Sequence, residues 1–218
     1  LLDETGRVIW CNDAFRAAIH SEKGFHKSIT YVFPAITRER LPQGEQEAEY
    51  LATVLDELSR AESESDLAEI RQELEAGGYV RPADRRKQPK LPASRPMEFT
   101  SSDGYRILVG RNNRQNDQLS MKTARKDDLW LHIQKFHGTH VIISCAGVRP
   151  PDRTVTEAAM LAAFYSQAKN GQNVPVDVTQ VRNLRKPNGA KPGMVVYDHY
   201  QTVIVTPDAA LPDTLRTK

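Results

Sequence analysis

Two strand-like runs flank a long polar stretch between Gly104 and Ile143, and this arrangement constrains the fold more than any other feature of the chain. In the first run, residues 105, 107 and 109 form an apolar face, which predicts a half-buried strand that ends at Gly110. Seven consecutive residues with hydrogen-bonding heads follow, and none of them is hydrophobic. We predict that these residues, 111–117, form a polar turn that contributes nothing to a core.

Strands also dominate the rest of this region. The predicted elements are a helix near 117–123, strands at 129–133, 140–143 and 174–178, and a hairpin of 194–197 with 202–205. Pro175 predicts an edge position for its strand. An Ala-rich helix is predicted to run to about Asn170, with Thr154 and Glu157 together forming the cap at its start. The sequence therefore predicts an α+β fold with a mainly antiparallel sheet and one long Ala-rich helix.

Charge divides the chain into segments of opposite sign. Residues 43–80 contain two basic and eleven acidic residues, a net charge of −9, whereas 81–99 carry +4 and 100–207 carry +6. A basic field favours a polyanion such as nucleic acid, and a solvated basic face is the alternative interpretation. The acidic segment is predicted to form two helices, either the base of an antiparallel coiled coil or two surface helices. Its second helix would be capped by Asp66 and Glu69 and end at Gly77.

Proline and cations set apart residues 81–99. Four prolines and six cations lie between Arg81 and Pro96, which predicts a linker, or a basic strap that closes over a phosphate backbone. At the other end of the chain, residues 208–218 are predicted to be a tail. Residues 1–42 resemble the opening half of a PAS sensor domain, with a strand, a turn, a second strand and a short helix. About 40 residues cannot close such a domain, so this partial PAS-like segment is predicted to be an annex, or a piece that is not naturally contiguous with the rest.

Amide and cationic side chains are the candidate RNA contacts. Arginine and lysine pair with phosphate, and amides suit sugar hydroxyls and base edges, although a single Asn more often caps a local turn. A second basic loop, LRKPNGAKPG, adds prolines that limit its entropy and glycines that let backbone N–H groups approach an oxyanion. The predicted RNA-binding residues are Arg111, Asn112, Asn113, Arg114, Gln115, Asn116, Lys122, Arg125, Lys126, Arg185, Lys186, Asn188 and Lys191.

Other polar and aromatic residues have two interpretations each. Asp128, Trp130, His132 and His140 are predicted to be structural, with stacking on a base as the alternative for Trp130. A metal would need three or four converging ligands, which the spacing of His132, His137 and His140 does not provide by itself. We predict no metal, no cofactor and no catalytic residue, because no nuclease motif surrounds the aspartates.

Several motifs occur in the order found in a known family. They are VGRNNRQNDQLSMKTARKDDLWLHIQKFHGTHVII, EAAMLAAFYSQAKN, VPVDVTQVRNLRKPNGAKPGMVVY and TVIVTP. Residues 100–207 thereby resemble the C-terminal RNA-binding module of NFACT proteins, and the acidic segment 43–80 resembles the end of that family's coiled-coil arm. The resemblance implies binding to obstructed large ribosomal subunits, to tRNA (alanyl-tRNA above all) and to rRNA, in support of C-terminal alanine tailing.

The resemblance also sets limits on what this chain does by itself. The family's N-terminal tRNA-contacting domain has no counterpart here, so the chain alone is expected to bind RNA without supporting tailing. Two cysteines and the lack of an apolar run of roughly 18 residues fit a cytoplasmic protein with no membrane partner. Two other functions remain open, a protein-interaction or fibronectin-binding adhesin module and a metal-dependent RNA-processing enzyme.

Overall fold

The computed structural model describes residues 44–82 and 94–217. The PAS-like segment predicted at 1–42 and residues 83–93 of the predicted linker lie outside the described residues. The chain divides into two compact units, Leu1–Glu49 and Tyr50–Lys218. Within the described ranges, no helix is both long enough and apolar enough to span a membrane.

A six-stranded sheet forms the centre of the second unit. Its strands are β1 (Met97–Thr100), β2 (Arg106–Val109), β3 (Leu129–Ile133), β4 (Val141–Ser144), β5 (Val174–Gln180) and β8 (Gln201–Val205). They lie in the order β1-β2-β4-β3-β5-β8, and every neighbouring pair is antiparallel. The predicted α+β fold with a mainly antiparallel sheet is confirmed. β1 begins within the range predicted as linker, and a short helix, α5 (Leu211–Leu215), lies within the predicted tail.

One face of the sheet packs against an Ala-rich helix, α4 (Asp152–Phe164). Leu131 and Ile133 of β3 point to this face, where they join the helix residues Ala158, Leu161 and Ala162 in the larger core. Side chains alternate along a strand, so the residues between them must point to the opposite face.

The opposite face is also covered. Leu108, Trp130 and Ile142 form a second core there with Leu119 and Leu184. Its cover consists of α3 (Asn113–Gln118), a π-helical turn (Leu119–Thr123) and a small sheet of β6 (Leu184–Arg185) and β7 (Val196–Tyr197). The prediction of a half-buried strand at 105–109 was therefore wrong in one respect: β2 is buried on both faces, because the polar run after it folds back as a helix.

Long-range pairing overturns two further predictions. Residues 194–197 and 202–205 do not form a hairpin, since β7 pairs with β6 whereas β8 pairs with β5. β5 is an internal strand, although Pro175 predicted an edge. The proline is tolerated because it lies one position beyond the last residue pair of β3 and β5, Ile133 with Val176.

Helix ends also differ from prediction. α4 begins at Asp152 and ends at Phe164, so Thr154 does not cap it and Asn170 lies beyond it. Thr154 Oγ1 instead donates to Asp103 at 2.7 Å, and Glu157 accepts from the Ser102 backbone N–H at 2.8 Å, which ties the helix to the β1–β2 turn. The helix predicted near 117–123 starts earlier, at Asn113.

The acidic segment forms the predicted pair of helices, α1 (residues 44–60) and α2 (Glu64–Ala76). Ser63 and Asp66 form the capping box of α2, three residues before the predicted pair of Asp66 and Glu69. From Tyr50 onward, α1 shares a small core with α2, in which Tyr50, Val54 and Ile70 are buried. This helical hairpin places the carboxylates of α2 against the sheet module.

Candidate nucleic-acid interface

The amide-rich run forms the N-terminal end of α3 rather than a turn. The Asn112 side chain accepts the backbone N–H of Gln115 at 3.0 Å and caps the helix. Asn116 Oδ1 accepts the backbone N–H of His140 at 3.1 Å, which fixes α3 to the start of β4. Gly110 permits this approach, since a Cβ there would lie 2.1 Å from Asn116 Oδ1.

Carboxylates of α2 accept hydrogen bonds from the side-chain amides of Asn112, Asn113 and Gln115. Glu69 accepts Asn112 Nδ2 at 2.7 Å and Gln115 Nε2 at 2.9 Å, and it also accepts the backbone N–H of Ser94 at 2.9 Å. Glu73 accepts Asn113 Nδ2 at 3.3 Å and the Tyr50 hydroxyl at 2.7 Å. We call this contact, made of Asn112, Asn113, Gln115, Glu69 and Glu73, the amide–carboxylate joint. The three amides and Asn116 are at most 5% exposed, so they face protein rather than solvent.

A buried carboxyl group lies behind the joint. Glu57 is 1% exposed, and neither of its oxygens has a hydrogen-bond partner among the described residues. Burial, followed by the nearby charge of Glu73, holds the pKa of Glu57 well above its usual range. The raised pKa favours the neutral form of this carboxyl group, which lowers the cost of burying it without a partner.

The two arginines of the run also contact the helical hairpin. Arg111 Nη1 lies 3.2 Å from Glu62 and 3.5 Å from Asp66, and Arg114 Nη1 donates to Gln72 at 3.1 Å. The Arg114 side chain remains exposed. Arginine pairing therefore reinforces the joint at its edge.

Two lysines of the LRKPNGAKPG loop are engaged internally. Lys186 Nζ forms an ion pair with Asp117 and donates to the Lys191 carbonyl at 3.1 Å. Lys191 Nζ lies 5.3 Å from the ring centre of Tyr50 and 5.1 Å from that of Tyr79, a cation–π contact with the helical hairpin. Asn188, at the tip of the loop, is exposed.

An aromatic cluster lies on the second face of the sheet. Trp130 is 1% exposed and stacks on His132, with ring centres 5.6 Å apart and planes 11° apart. His140 meets the same indole edge-on at 5.1 Å, and its Nδ1 lies 2.7 Å from Ser120 Oγ. Burial, followed by the neighbouring His132 charge, lowers the pKa of His140 to about 3, and burial also lowers the pKa of His132. Both rings are neutral at pH 7 and offer no charge to a phosphate.

Asp128 organises the turn after the π-helical segment. Its Oδ2 accepts the backbone N–H of Arg125 at 2.8 Å, and its Oδ1 accepts those of Cys145 and Ala146 at 3.0 Å each. The geometry is that of a turn-capping residue. His137, the third histidine of the region, lies 2.8 Å from Thr53 of α1 through its Nδ1. The described part of the chain holds no group of three or more His, Cys, Asp or Glu side chains that could bind a metal.

A second polar surface surrounds that turn, and here the cations are exposed. The turn contacts the 3₁₀ helix Val181–Asn183, since the backbone N–H of Arg182 donates to the Lys126 carbonyl at 3.0 Å. Arg182 forms an ion pair with Asp127, and Arg185 lies 2.5 Å from Asp198. We define the basic rim as Arg125, Lys126, Arg182 and Arg185. Within the described ranges, Arg125 and Lys126 make no ion pair, so their charge is available to solvent.

Comparison with known proteins agrees with this architecture. The family described as NFACT protein RNA binding domain matches residues 95–198. The Rqc2 homolog RqcH of Bacillus subtilis (strain 168) is 44% identical over 177 residues, 80% of this chain and 30% of that protein. The ribosome quality control complex subunit NEMF of Homo sapiens is 34% identical over 71 residues, 32% of this chain and 7% of that protein.

A solved structure extends the comparison to most of the chain. The C-terminal part of the fibronectin/fibrinogen-binding protein from Streptococcus suis has a TM-score of 0.78 and 33% identity, and the match covers 88% of this chain and 78% of that structure. The chain belongs to the NFACT family. It spans about a third of the length of the RqcH protein that it matches.

In this NFACT chain, the residues predicted to bind RNA fall into two groups. The first group lies in or beside the joint, or is engaged internally, and comprises Arg111, Asn112, Asn113, Arg114, Gln115, Asn116, Lys186 and Lys191. The second group is exposed and comprises Lys122, Arg125, Lys126, Arg185 and Asn188. The structure does not bring the two groups into one surface of free side chains.

Sequence reasoning missed Arg182 of the rim and two residues near the rim, His199 and Tyr200. His199 and Tyr200 are exposed in the turn between β7 and β8, and Thr179 Oγ1 donates to the carbonyls of Asp198 and His199 at 3.1 and 3.2 Å. The signal in the sequence was the segment YDHYQ, in which two tyrosines three residues apart flank a polar pair. An incorrect hairpin prediction hid it, because those residues were assigned only to the connecting turn.

Proposed function

We propose that this chain is a non-catalytic RNA-binding module of a ribosome-associated quality-control factor, and that the basic rim is its main contact with RNA. The observation that supports this most directly is the exposed charge of Arg125 and Lys126, which have no ion-pair partner within the described residues. Phosphate contacts by Arg and Lys supply most of the affinity in sequence-independent RNA binding. The description of the matching family and the names of the similar proteins support the same function.

The finer proposal concerns partners. In the full-length protein, the module contacts tRNA, including alanyl-tRNA, and rRNA on obstructed large ribosomal subunits in the cytoplasm, and supports alanine tailing there. The description of the matching family supports RNA contact for this chain, and we assign no catalytic step to it. The amide–carboxylate joint holds the helical hairpin at a fixed position on the module, which suits a domain that must be placed at the end of an arm.

A salt series tests RNA binding. The whole chain is mixed with tRNA, and filter binding measures the affinity over a range of KCl concentrations. We expect log affinity to fall linearly with log salt concentration, as it does when cations displace counterions from phosphates. The double variant Arg125→Glu, Lys126→Glu should lower the steepness of this line by about 1.4 to 1.8, the contribution of two phosphate contacts.

A charge change elsewhere provides the matched control. Lys169 is exposed in the segment after α4, near the opposite end of β3 from the rim, as the bridge between Gly138 and Ser166 indicates. Lys169→Glu should leave the slope unchanged. Absence of tRNA and rRNA binding by the wild-type chain, or a slope that the rim variant shares with the wild type, would contradict the proposal.

Fibronectin binding is a second candidate function, favoured by the name of the similar Streptococcus suis protein. Nuclease-treated chain immobilised on a sensor surface and exposed to fibronectin tests it directly. Saturable binding that survives nuclease treatment, together with no affinity for RNA, would favour this function over the first.

A further inference from the structure

Three aromatic rings form a line from the second core to the surface. The ring centres of Trp130 and Tyr197 are 4.8 Å apart, and those of Tyr197 and Tyr200 are 5.5 Å apart. Trp130 is 1% exposed, whereas Tyr200 is 50% exposed. The line therefore ends in a tyrosine that is half exposed to solvent.

The middle ring of this line is held firmly. The Tyr197 hydroxyl donates to Asp177 Oδ2 at 2.8 Å, and Asp177 Oδ1 accepts the Thr202 hydroxyl at 2.7 Å and Gln134 Nε2 at 2.8 Å. Asp177 is buried and its oxygens have donors from three side chains. Tyr197 consequently provides a fixed support against which Tyr200 packs edge-on, with planes 79° apart.

The turn that presents Tyr200 is also constrained. His199 has φ of 51°, a left-handed conformation that is uncommon for residues other than glycine. The Thr179 hydroxyl contacts the carbonyls of Asp198 and His199, and Asn183 Nδ2 in turn donates to Thr179 Oγ1 at 2.8 Å. Side-chain hydrogen bonds thus hold an unfavourable turn that directs an aromatic residue outward, an arrangement that clusters at functional sites.

Cations lie near the turn that carries the exposed ring. Arg185 forms an ion pair with Asp198, which is in this turn, and Arg182 lies three residues before Arg185 in the 3₁₀ helix. An exposed aromatic ring beside phosphate-binding cations is the combination that single-stranded nucleic acids require, because bases stack on the ring while the backbone follows the charge. Val196, on β7 next to this turn, is also exposed, but the charges of Arg185 and Asp198 favour RNA over a protein partner, which would need an apolar surface.

We propose that Tyr200 is a stacking platform for an unpaired RNA base, with Arg182 and Arg185 contacting the phosphates that flank it. This inference rests on the proposed RNA-binding function and specifies which form of RNA the basic rim prefers. It assigns the rim to single-stranded segments such as loops and ends rather than to duplex. Asp198 competes with phosphate for Arg185 and is displaced from it when RNA binds.

Binding to two forms of RNA tests the inference. The whole chain is titrated with a single-stranded RNA of about ten nucleotides, within the site sizes of about 4–16 nucleotides known for such surfaces, and with a duplex of the same sequence. Tyr200→Ala should weaken single-strand binding by about 5- to 150-fold, the loss of one stacked base, and Tyr200→Phe should keep wild-type affinity. Duplex binding should change by less than about twofold in either variant, because duplex relies on phosphate contacts.

Phe136 provides a matched control, since it is 51% exposed in the turn after β3. Phe136→Ala should leave single-strand affinity unchanged. A single 2-aminopurine in the RNA gives an independent readout: its fluorescence should be quenched by the wild type and by Tyr200→Phe, but not by Tyr200→Ala. Equal affinity of Tyr200→Ala and wild type for the single strand would overturn the stacking site while leaving RNA binding intact, as would equal losses on single strand and duplex. Lack of binding to any RNA by the wild type would instead overturn the proposed function.

Discussion

The amide–carboxylate joint and the basic rim are both built from polar side chains, but their surroundings give them different roles. In the joint, Asn112, Asn113 and Gln115 are buried and donate to carboxylates of α2. In the rim, Arg125 and Lys126 lie at the surface with no ion-pair partner among the described residues. Hydrogen-bonding capacity alone therefore does not identify a binding surface; what matters is whether another part of the chain already uses it.

This difference separates stability from binding. Removing an acceptor from the joint leaves buried donors without partners, which costs far more than removing an exposed charge. Joint variants should accordingly lower the free energy of unfolding, and rim variants should lower RNA affinity.

The largest effect is expected from Glu69→Ala. Glu69 accepts hydrogen bonds from Asn112, Gln115 and the backbone of Ser94, and the alanine variant leaves these donors unpaired. We expect the free energy of unfolding to fall by about 3 kcal/mol, because hydrogen bonds to a charged group contribute about 1.5–3 kcal/mol each and are not additive. Urea unfolding followed by circular dichroism measures this change.

An exposed glutamate on the same helix is the control. Glu64 lies in the first turn of α2 and makes no ion pair among the described residues, so Glu64→Ala should cost at most about 1 kcal/mol, the contribution of its interaction with the helix dipole. Glu69→Gln, which retains one carbonyl acceptor, should fall between the two. If Glu69→Ala were as stable as Glu64→Ala, the joint would not hold the hairpin.

The sequence predicts part of the fold and of the difference between the joint and the rim, but not all of it. The strands at 106–109 and 129–133 were predictable because the side chains of a strand point alternately to its two faces. When at least one face is buried, this leaves a pattern that can be read from a few neighbouring residues. The burial of Asn112 was not predictable, since an amide run has the same composition in a solvated turn and in a capped helix. Its burial depends on Glu69, which lies 43 residues earlier in the chain.

The error around β7 has the same origin. Apolar runs at 194–197 and 202–205 carry no local signal that would distinguish pairing with each other from pairing with β6 and β5. Because that pairing was missed, the turn with His199 and Tyr200 was treated as a simple connection. The exposed cations Arg125, Lys126 and Arg185, by contrast, were found from composition, since a charged residue in a basic segment is exposed by default, although Arg182 was missed.

The second effect in size concerns pH and His140, which packs against Asn116 behind the joint. Its pKa is about 3 in the folded protein and about 6.5 in the unfolded chain, so the unfolded chain binds the proton first as pH falls. Stability should therefore decrease below about pH 6.5, by about 2 kcal/mol at pH 5, and the loss should continue towards pH 3. Urea unfolding of wild type and His140→Gln at pH 7 and pH 5 isolates this contribution.

His199, exposed in the turn beside the rim, is the matched control for that experiment. His199→Gln should retain the full pH dependence of the wild type, whereas His140→Gln should lose about 2 kcal/mol of it. The opposite ranking would mean that the exposed histidine, not the buried one, couples folding to pH.

A smaller effect is expected from Glu57, the buried carboxyl group behind the joint. Its folded pKa is raised, so its contribution to stability is complete below the unfolded pKa of about 4.3 and is lost as pH rises through the folded pKa. As pH rises above about 4.3, wild type should therefore lose more stability than Glu57→Gln, which cannot ionise. Parallel curves of stability against pH for the two proteins would contradict a raised pKa of Glu57.

The smallest effect on stability, and the sharpest test of the comparison, lies in the rim pair of Arg185 and Asp198. Both side chains are exposed, so Arg185→Gln and Asp198→Asn should each change the free energy of unfolding by less than about 0.5 kcal/mol. Their effects on RNA affinity should have opposite signs, because Asp198 competes with phosphate for the guanidinium: Arg185→Gln weakens binding and Asp198→Asn strengthens it. Two members of a purely structural pair would instead change both quantities in the same direction, as Glu69 and its amide partners should in the joint. Urea unfolding and filter binding on the same two variants thus decide whether the rim differs in kind from the joint.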